Sequence, residues 1–302
     1  MRAARTVEPN PGTRRSFEKK ISALIKRFND DIRDDIFEHL ISSGLAQDAS
    51  LTNPRSPEAR RKLHALMAKI SRTIGRRPDR LRGKIEEFVN ANIGRWMTKV
   101  TDEAREICVW YVQNCAYEVS SAQRRAFVTA GISPEVFRQR WKIPTVKRRY
   151  LSRNAQAELP NLVRGATELI TRFAADDLAR TQQVITESVL GGKSYADIET
   201  TLKAAKGFDD ARAKRVALDQ SLKVTSGVQI ANCASLGIKK GVWIHVPGQY
   251  TSRDTHIAMN GKEYDISKGL YDSDVGRYVV PAELPYCRCL CRPLIPPELL
   301  GK

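Results

Sequence analysis

The spacing of apolar residues constrains the fold most strongly, and it changes once along the chain. Up to about Gly237, apolar residues recur every three or four positions, the period of an amphipathic helix. After it, β-branched and aromatic residues cluster in short runs typical of strands. The pattern predicts a mainly α protein with an amphipathic helical N-terminal half and a small C-terminal α+β unit, with short strands after residue 240.

Capping residues, prolines and glycines predict the helix ends in the N-terminal half. We expect a first helix over residues 17–43 and a second over residues 56–75. A third begins after Pro78 and continues to about Ala130, with Gly94 as a possible bend. Gly131 is a predicted stop, and Ser133 followed by Pro134 restarts a short helix that contains Trp141.

The C-terminal half contains three further predicted helices and three predicted strands. The helices cover residues 162–190, 194–205 and 210–236, where glycines and acidic or hydroxyl caps define the ends. The strands cover residues 241–246, 262–266 and 288–295.

A basic segment marks the predicted domain boundary. Residues 138–153 contain seven Lys or Arg and no acidic residue, and Pro144 interrupts any helix there. We therefore expect a basic helical N-terminal region over residues 1–153 and a second domain over residues 154–302. Helices 160–236 and a small β unit at 241–297 make up that second domain.

The charge of the chain favours a polyanionic partner. The 302 residues have a net charge of +17, and residues 55–84 alone contain eleven Lys or Arg. Sequence-independent contacts to DNA phosphates would account for the basic stretches at residues 55–84 and 138–153, as would a solvated surface or an acidic protein partner. The candidate DNA-binding residues are Arg60, Arg61, Lys62, Arg76, Arg77, Lys147, Arg148 and Arg149.

Membrane insertion and a disulfide framework are both unexpected. No run approaches the roughly 18 apolar residues that a spanning helix needs. Residues 1–13 are polar, unlike a secretory signal, so we expect the protein to stay in the cytoplasm where it is made. The six cysteines are therefore expected to be reduced thiols or ligands.

Five short elements follow one another in the last third of the chain. They comprise Asp219 and Gln220 with the nearby Lys223, then Gly237 ahead of Trp243, the turn from Arg253 to His256, the glycine Gly261, and finally Cys287, Arg288 and Cys289. Each is weak alone, but together and in this order they resemble the phage Mu F-like minor head protein family, also called the phage head morphogenesis family. The resemblance covers about residues 159–297.

This resemblance implies a component of the virion head that is present in the host cytoplasm during assembly. Family members are expected to act with the portal, major capsid and scaffold proteins, and the packaged double-stranded DNA is a plausible neighbour. The sequence shows no organised catalytic constellation, so we expect no enzymatic activity, no cofactor and no membrane partner.

An enzyme is the alternative interpretation. The turn containing Arg253, Asp254 and His256 would then belong to a metal-dependent nuclease or group-transfer site. His256 would act as the base, Arg253 would bind phosphate and Asp254 would bind the metal. The structural interpretation of the same turn is that Asp254 caps local backbone and pairs with Arg253.

Three alternating cysteines raise the question of a metal site. On an extended strand, the sulfurs of Cys287, Cys289 and Cys291 would point to one face. With His256 or His245 they could complete a four-ligand zinc site. Because paired zinc ligands are normally separated by two to four residues, we favour buried small side chains over a metal.

Overall fold

A computed structural model describes residues 1–40, 78–141, 151–190, 200–202, 204, 210–247 and 252–300. Within these segments the chain is mainly helical, and all but one of the short strands follow residue 240. The predicted fold class is confirmed. None of the helices in the described segments combines the length and the apolar character needed to cross a membrane.

The described helices are numbered in chain order. They are α1 (Pro11–Leu40), α2 (Pro78–Thr129), α3 (Pro134–Val136), α4 (Arg153–Leu190), α5 (Asp210–Leu236) and α6 (Asp254–Met259). A π-helical turn (Phe137–Trp141) follows α3, and a 3-10 turn (Pro297–Leu299) lies near the C-terminus.

Helix α1 shows why the periodic segments fold as predicted. Its buried side chains are those at three- and four-residue spacing: Phe17, Ile21, Leu24, Ile25, Phe28, Ile32 and Ile36. The helix begins six residues before the predicted start because the Asn10 side chain accepts the Gly12 amide at 2.7 Å. Pro11 then occupies the first helical position, where its missing N–H costs nothing.

Other helix ends follow the same local chemistry. Helix α2 continues through Gly94 and ends before Gly131, whose φ of +107° suits glycine. Helix α4 begins at Arg153, earlier than predicted, because the Ser152 hydroxyl accepts the Ala155 amide at 3.1 Å. The predicted helix over residues 56–75, and most of that over 194–205, lie outside the described residues.

Within the described residues, six short strands form two antiparallel sheets. They are β1 (Arg2–Ala3), β2 (Lys240–Ile244), β3 (Glu263–Asp265), β4 (Leu270–Asp272), β5 (Arg277–Val279) and β6 (Leu290–Ile295). One sheet has the order β1-β6-β2-β3, and β4 pairs with β5 in the other. In the central pair, Trp243 of β2 lies opposite Cys291 of β6.

The chain divides into two compact units. One comprises Met1–Lys19, Arg105–Ala166 and Ala211–Lys302, and the other comprises Lys20–Ala104 and Thr167–Asp210. The boundary expected at residue 153 stays a prediction, and residues 142–150 of the basic segment lie outside the described residues.

A hydrophobic core of the first unit packs against the four-stranded sheet. Trp141 and Trp243 are fully buried there, with Phe127 from α2 and Leu236 from α5. Cys287, Cys289 and Cys291 belong to the same cluster. The segment that carries the cysteines is therefore fixed against the core.

In the second unit, polar side chains pair α1 with α2. The Asp35 carboxylate accepts hydrogen bonds from the Arg95 guanidinium at 2.9 Å and the Trp96 indole at 2.7 Å. Lys99 pairs with Asp31 at 2.7 Å. The charged partners are partly exposed, so the apolar faces account for most of the stability of this pairing.

Candidate functional site

The side chains of three residues named from the sequence lie close together. Cys287 and Cys289 lie in the irregular segment before β6, and His256 lies in α6. The Nδ1 atom of His256 is 3.4 Å from Cys287 Sγ and 3.7 Å from Cys289 Sγ. All three side chains are buried, and their ligand-type atoms lie within 4.8 Å of one another.

A second histidine lies beside this group. His245 follows strand β2, and its Nδ1 is 3.6 Å from Cys289 Sγ. The backbone N–H of His245 donates to the Asn260 side-chain oxygen at 2.9 Å, which fixes the end of the strand against the turn after α6. His245 itself is half-buried.

The other ring nitrogen of His256 faces a buried carboxylate. Its Nε2 is 3.0 Å from Asp272 Oδ2, and Asp272 at the end of β4 has no exposed surface. This hydrogen bond favours a proton on Nε2 and directs Nδ1 toward the two sulfurs. Asp254, the carboxylate named from the sequence, is exposed in the first turn of α6.

Hydrogen bonding shifts the acidity of these groups. Hydrogen bonds from Cys289 and then from His256 lower the pKa of the Cys287 thiol to about 4. The hydrogen bond to Cys287, and then burial, raise the pKa of Cys289. The hydrogen bond with Cys287 raises the pKa of His256 against the opposing effect of burial. Burial opposes ionisation of Asp272, yet hydrogen bonds, first from the Asp274 amide, hold its pKa below the ordinary value.

Two kinds of chemistry are compatible with this arrangement. A thiolate beside a histidine that a carboxylate orients is the arrangement of a cysteine nucleophile. Two sulfurs and the His256 nitrogen close together, with the His245 nitrogen beside Cys289, are also a metal-ligand set. The group adjoins a cleft of about 340 Å³ whose lining includes Arg215, Arg253 and Arg288.

Comparison with known proteins identifies the region that contains these residues. Residues 179–292 match the family described as phage Mu protein F like protein. The chain carries a phage Mu protein F-like region. The match confirms the resemblance inferred from the ordered motifs, and it includes both histidines, Asp272 and the three C-terminal cysteines.

One curated protein is similar to part of the chain. The Bacillus subtilis (strain 168) protein named "Uncharacterized protein YqbB" is 28% identical over 130 residues, which make up 40% of this chain and 43% of YqbB. The chain therefore spans less than half the length of this relative. No solved structure matches the chain.

The first motif of the Mu F-like region supports the cysteine segment. Asp219 on α5 is buried, and its carboxylate accepts the Tyr286 backbone N–H at 2.6 Å. It also accepts from Lys223 at 2.8 Å and from Gln220 at 3.1 Å. Tyr286 has a φ of +59°, an uncommon value for a residue other than glycine. Asp219 thus stabilises the unusual backbone immediately before Cys287.

The second and fourth motifs fix the strand beneath the site. The backbone of Trp243 accepts the Gly261 N–H at 2.8 Å, and Gly261 has a φ of +79° that suits glycine. The Trp243 ring is fully buried and meets the His256 ring edge-on, with 5.2 Å between centroids. These two motif residues therefore position the helix that carries His256.

The remaining motif residues lie around the cleft. Arg253 caps the start of α6, and its guanidinium donates to the Pro285 carbonyl at 3.1 Å. This bond joins the histidine turn to the cysteine segment. Arg288, between the two cysteines, is half-buried in the lining of the cleft.

Cys291 lies apart from the other two cysteines of its run. Strand β6 begins only at Leu290, so Cys287 and Cys289 do not share its regular alternation. A Cβ atom built at Gly241 would be 2.8 Å from Cys291 Sγ, which places this sulfur against β2 in the core. His245 Nδ1, in contrast, lies 3.6 Å from Cys289 Sγ.

The candidate DNA-binding residues were expected in two basic stretches of the N-terminal half. Residues 60–62 and 76–77 belong to one, and residues 147–149 belong to the other. All eight lie outside the described residues, so their assignment stays a prediction.

Proposed function

We propose that this protein is a minor head protein of a phage or prophage and acts during head assembly. The observation that carries the proposal is the match of residues 179–292 to the phage Mu protein F like family. Five motifs in family order support it, because several of them act on one structural feature. Asp219, Arg253 and Gly261 all fix the segments that bring His256 and Cys287 together.

The proposed location is the virion head, with the protein in the host cytoplasm during assembly. The proposed partners are the portal, major capsid and scaffold proteins. The net charge of +17 supports contact with an acidic surface or with packaged double-stranded DNA. The basic stretches at residues 55–84 and 138–153 are the proposed docking surface.

A genetic experiment tests the role in assembly. The gene is deleted in the phage or prophage that encodes it, and the protein is supplied in trans. We expect the yield of infectious, DNA-filled heads to fall on deletion and to return on complementation. Normal yields of DNA-filled, infectious particles in the deletion strain would contradict the proposal.

A salt titration tests the proposed DNA contact. Replacing Arg60, Arg61 and Lys62 with Gln removes three candidate phosphate contacts. At about 0.9 per contact, the slope of log affinity against log salt should become shallower by about 2.7. Replacing the exposed Arg15, Lys19 and Lys26 with Gln removes the same charge and should leave the slope unchanged.

Equal slopes for the wild-type protein and both triple variants would reject these three residues as phosphate contacts. Duplex binding that does not weaken with salt would reject phosphate contact altogether. An acidic protein partner would then account for the basic stretches.

One observation favours the enzyme alternative, a metal-dependent nuclease or group-transfer protein. The cleft next to His256 contains three arginines in its lining, which suits a phosphate-bearing substrate. Nuclease assays on linear and circular DNA with Mg²⁺ or Mn²⁺ test it. Turnover that His256→Ala abolishes would establish the enzyme, whereas we expect no turnover in either form.

A further inference from the structure

Three donors of the Mu F-like region, from His256, Cys287 and Cys289, lie within 4.8 Å of one another, and a fourth, His245 Nδ1, lies 3.6 Å from Cys289 Sγ. In a tetrahedral site with Zn–S near 2.3 Å and Zn–N near 2.05 Å, sulfur and nitrogen ligands lie about 3.6 Å apart. Three of the four sulfur–nitrogen separations in this set are 3.4, 3.7 and 3.6 Å. We propose that the region binds one structural zinc ion through four side chains: His245, His256, Cys287 and Cys289.

The buried carboxylate supports this assignment. A histidine that binds a metal usually donates its other ring N–H to a carboxylate, which fixes the ring and raises its basicity. Asp272 does this for His256 at 3.0 Å, and it has no exposed surface. Burying a carboxylate is costly, and simple packing of two thiols does not require it. A metal on the opposite side of the His256 ring accounts for the carboxylate.

The four donors come from three separate segments that other contacts already fix. His245 follows β2 and is anchored by Asn260. The turn with His256 is joined to the cysteine segment by the hydrogen bond from Arg253 to the Pro285 carbonyl. The N–H of Tyr286, one residue before Cys287, is fixed by Asp219. Three of the donors are therefore already together, and closure of the set requires His245 to move toward them.

The donor types favour zinc and a structural role. Two thiolates and two imidazoles in tetrahedral geometry select zinc over magnesium or calcium, which prefer oxygen ligands. Four protein donors close the coordination sphere, unlike a catalytic site, which keeps a position for water. A disulfide between Cys287 and Cys289 is disfavoured, because residues two apart in extended chain approach the upper limit of Cα separation for the bond.

A zinc ion bound by these four side chains would join the end of β2, helix α6 and the segment before β6. These segments carry short strands of three to six residues, whose pairing alone provides limited stability. A structural zinc site contributes its binding energy to folding. Removal of the metal should therefore loosen the small sheet first.

Metal content of the full-length protein tests the proposal directly. The wild-type chain, purified without added chelator, should contain about one zinc per chain by elemental mass spectrometry. After chelation, titration with Co²⁺ should give one equivalent of binding, with the visible absorption bands of a tetrahedral site and sulfur-to-cobalt charge transfer. Both readouts use the wild-type protein, so they do not depend on variants that fold.

Two cysteines supply a matched pair of variants. Cys289→Ala and Cys291→Ala make the same chemical change two residues apart at buried positions. The first should lose bound cobalt, and the second should retain it. Asp272→Asn should keep the stoichiometry and weaken metal affinity about 10- to 100-fold.

Several outcomes would overturn the assignment. One is a folded wild-type chain that contains no zinc and gives no tetrahedral cobalt spectrum. Another is loss of the metal in Cys291→Ala but not in Cys289→Ala. A third is rapid, selective alkylation of Cys287 in the presence of saturating zinc, which would favour a thiolate nucleophile instead.

Discussion

Replacement of Asp219 tests whether the first motif of the Mu F-like region stabilises the cysteine segment. In Asp219→Ala, the Tyr286 amide loses an acceptor at 2.6 Å, and the buried Gln220 side chain loses one at 3.1 Å. Lys223 also loses its partner, but its side chain is 29% exposed and water can replace the carboxylate.

The expected magnitude follows from these contacts. A hydrogen bond to a charged group contributes about 1.5–3 kcal/mol, and an unsatisfied buried donor costs about 1–3 kcal/mol. Counting Tyr286 and Gln220 alone, Asp219→Ala should lower the free energy of unfolding by about 3–6 kcal/mol. In Asp219→Asn the side-chain oxygen can still accept the Tyr286 N–H, so the loss should be smaller, about 1–2 kcal/mol.

Urea unfolding followed by circular dichroism measures both variants. Asp265→Ala is the control, because this aspartate is exposed and its side chain accepts hydrogen bonds from Ser267 in its own turn. The control should change stability by about 1 kcal/mol or less. A loss below about 0.5 kcal/mol in Asp219→Ala, or equal losses in the Ala and Asn variants, would refute this reasoning.

Three further predictions concern packing and pH. Gly241→Ala places a Cβ atom 2.8 Å from Cys291 Sγ and should cost about 1–3 kcal/mol in urea unfolding. In Gly94→Ala the added Cβ atom meets no atom within 4 Å on an exposed helix face, so the free energy of unfolding should rise by about 0.5–1 kcal/mol in the same assay. Burial raises the pKa of Tyr111, so its phenol ionises first in the unfolded chain. Above pH ~10 the free energy of unfolding of the wild type should therefore fall by about 1.4 kcal/mol per pH unit relative to that of Tyr111→Phe. Equal pH profiles of stability for the two proteins would contradict this.

The helices were predictable because their signal is local. Buried positions of α1 follow a spacing that the sequence displays, and Gly131 ends α2 as expected. The ends that differed depend on single side chains: Asn10 and Ser152 each accept a backbone amide and start a helix earlier. Strands β1 and β4, of two and three residues, are too short for any period to be visible.

The candidate site was predictable only in part. Its cysteines and His256 belong to ordered motifs, so the sequence named them. Asp272 lies in a strand that the pattern did not predict, and its partnership with His256 arises from the tertiary fold. Cys291 was a candidate ligand on the assumption that residues 287–291 form a regular strand, in which alternate side chains share one face. That strand begins after Cys289, and His245 Nδ1 lies 3.6 Å from Cys289 Sγ.

The copy number of this chain in purified particles tests the central claim most directly. Quantitative mass spectrometry of proheads and virions from the encoding phage or prophage would compare it with the portal and major capsid proteins. A minor head protein should be present at a few copies per particle, far below the major capsid protein. Absence from proheads and virions alike would contradict the account.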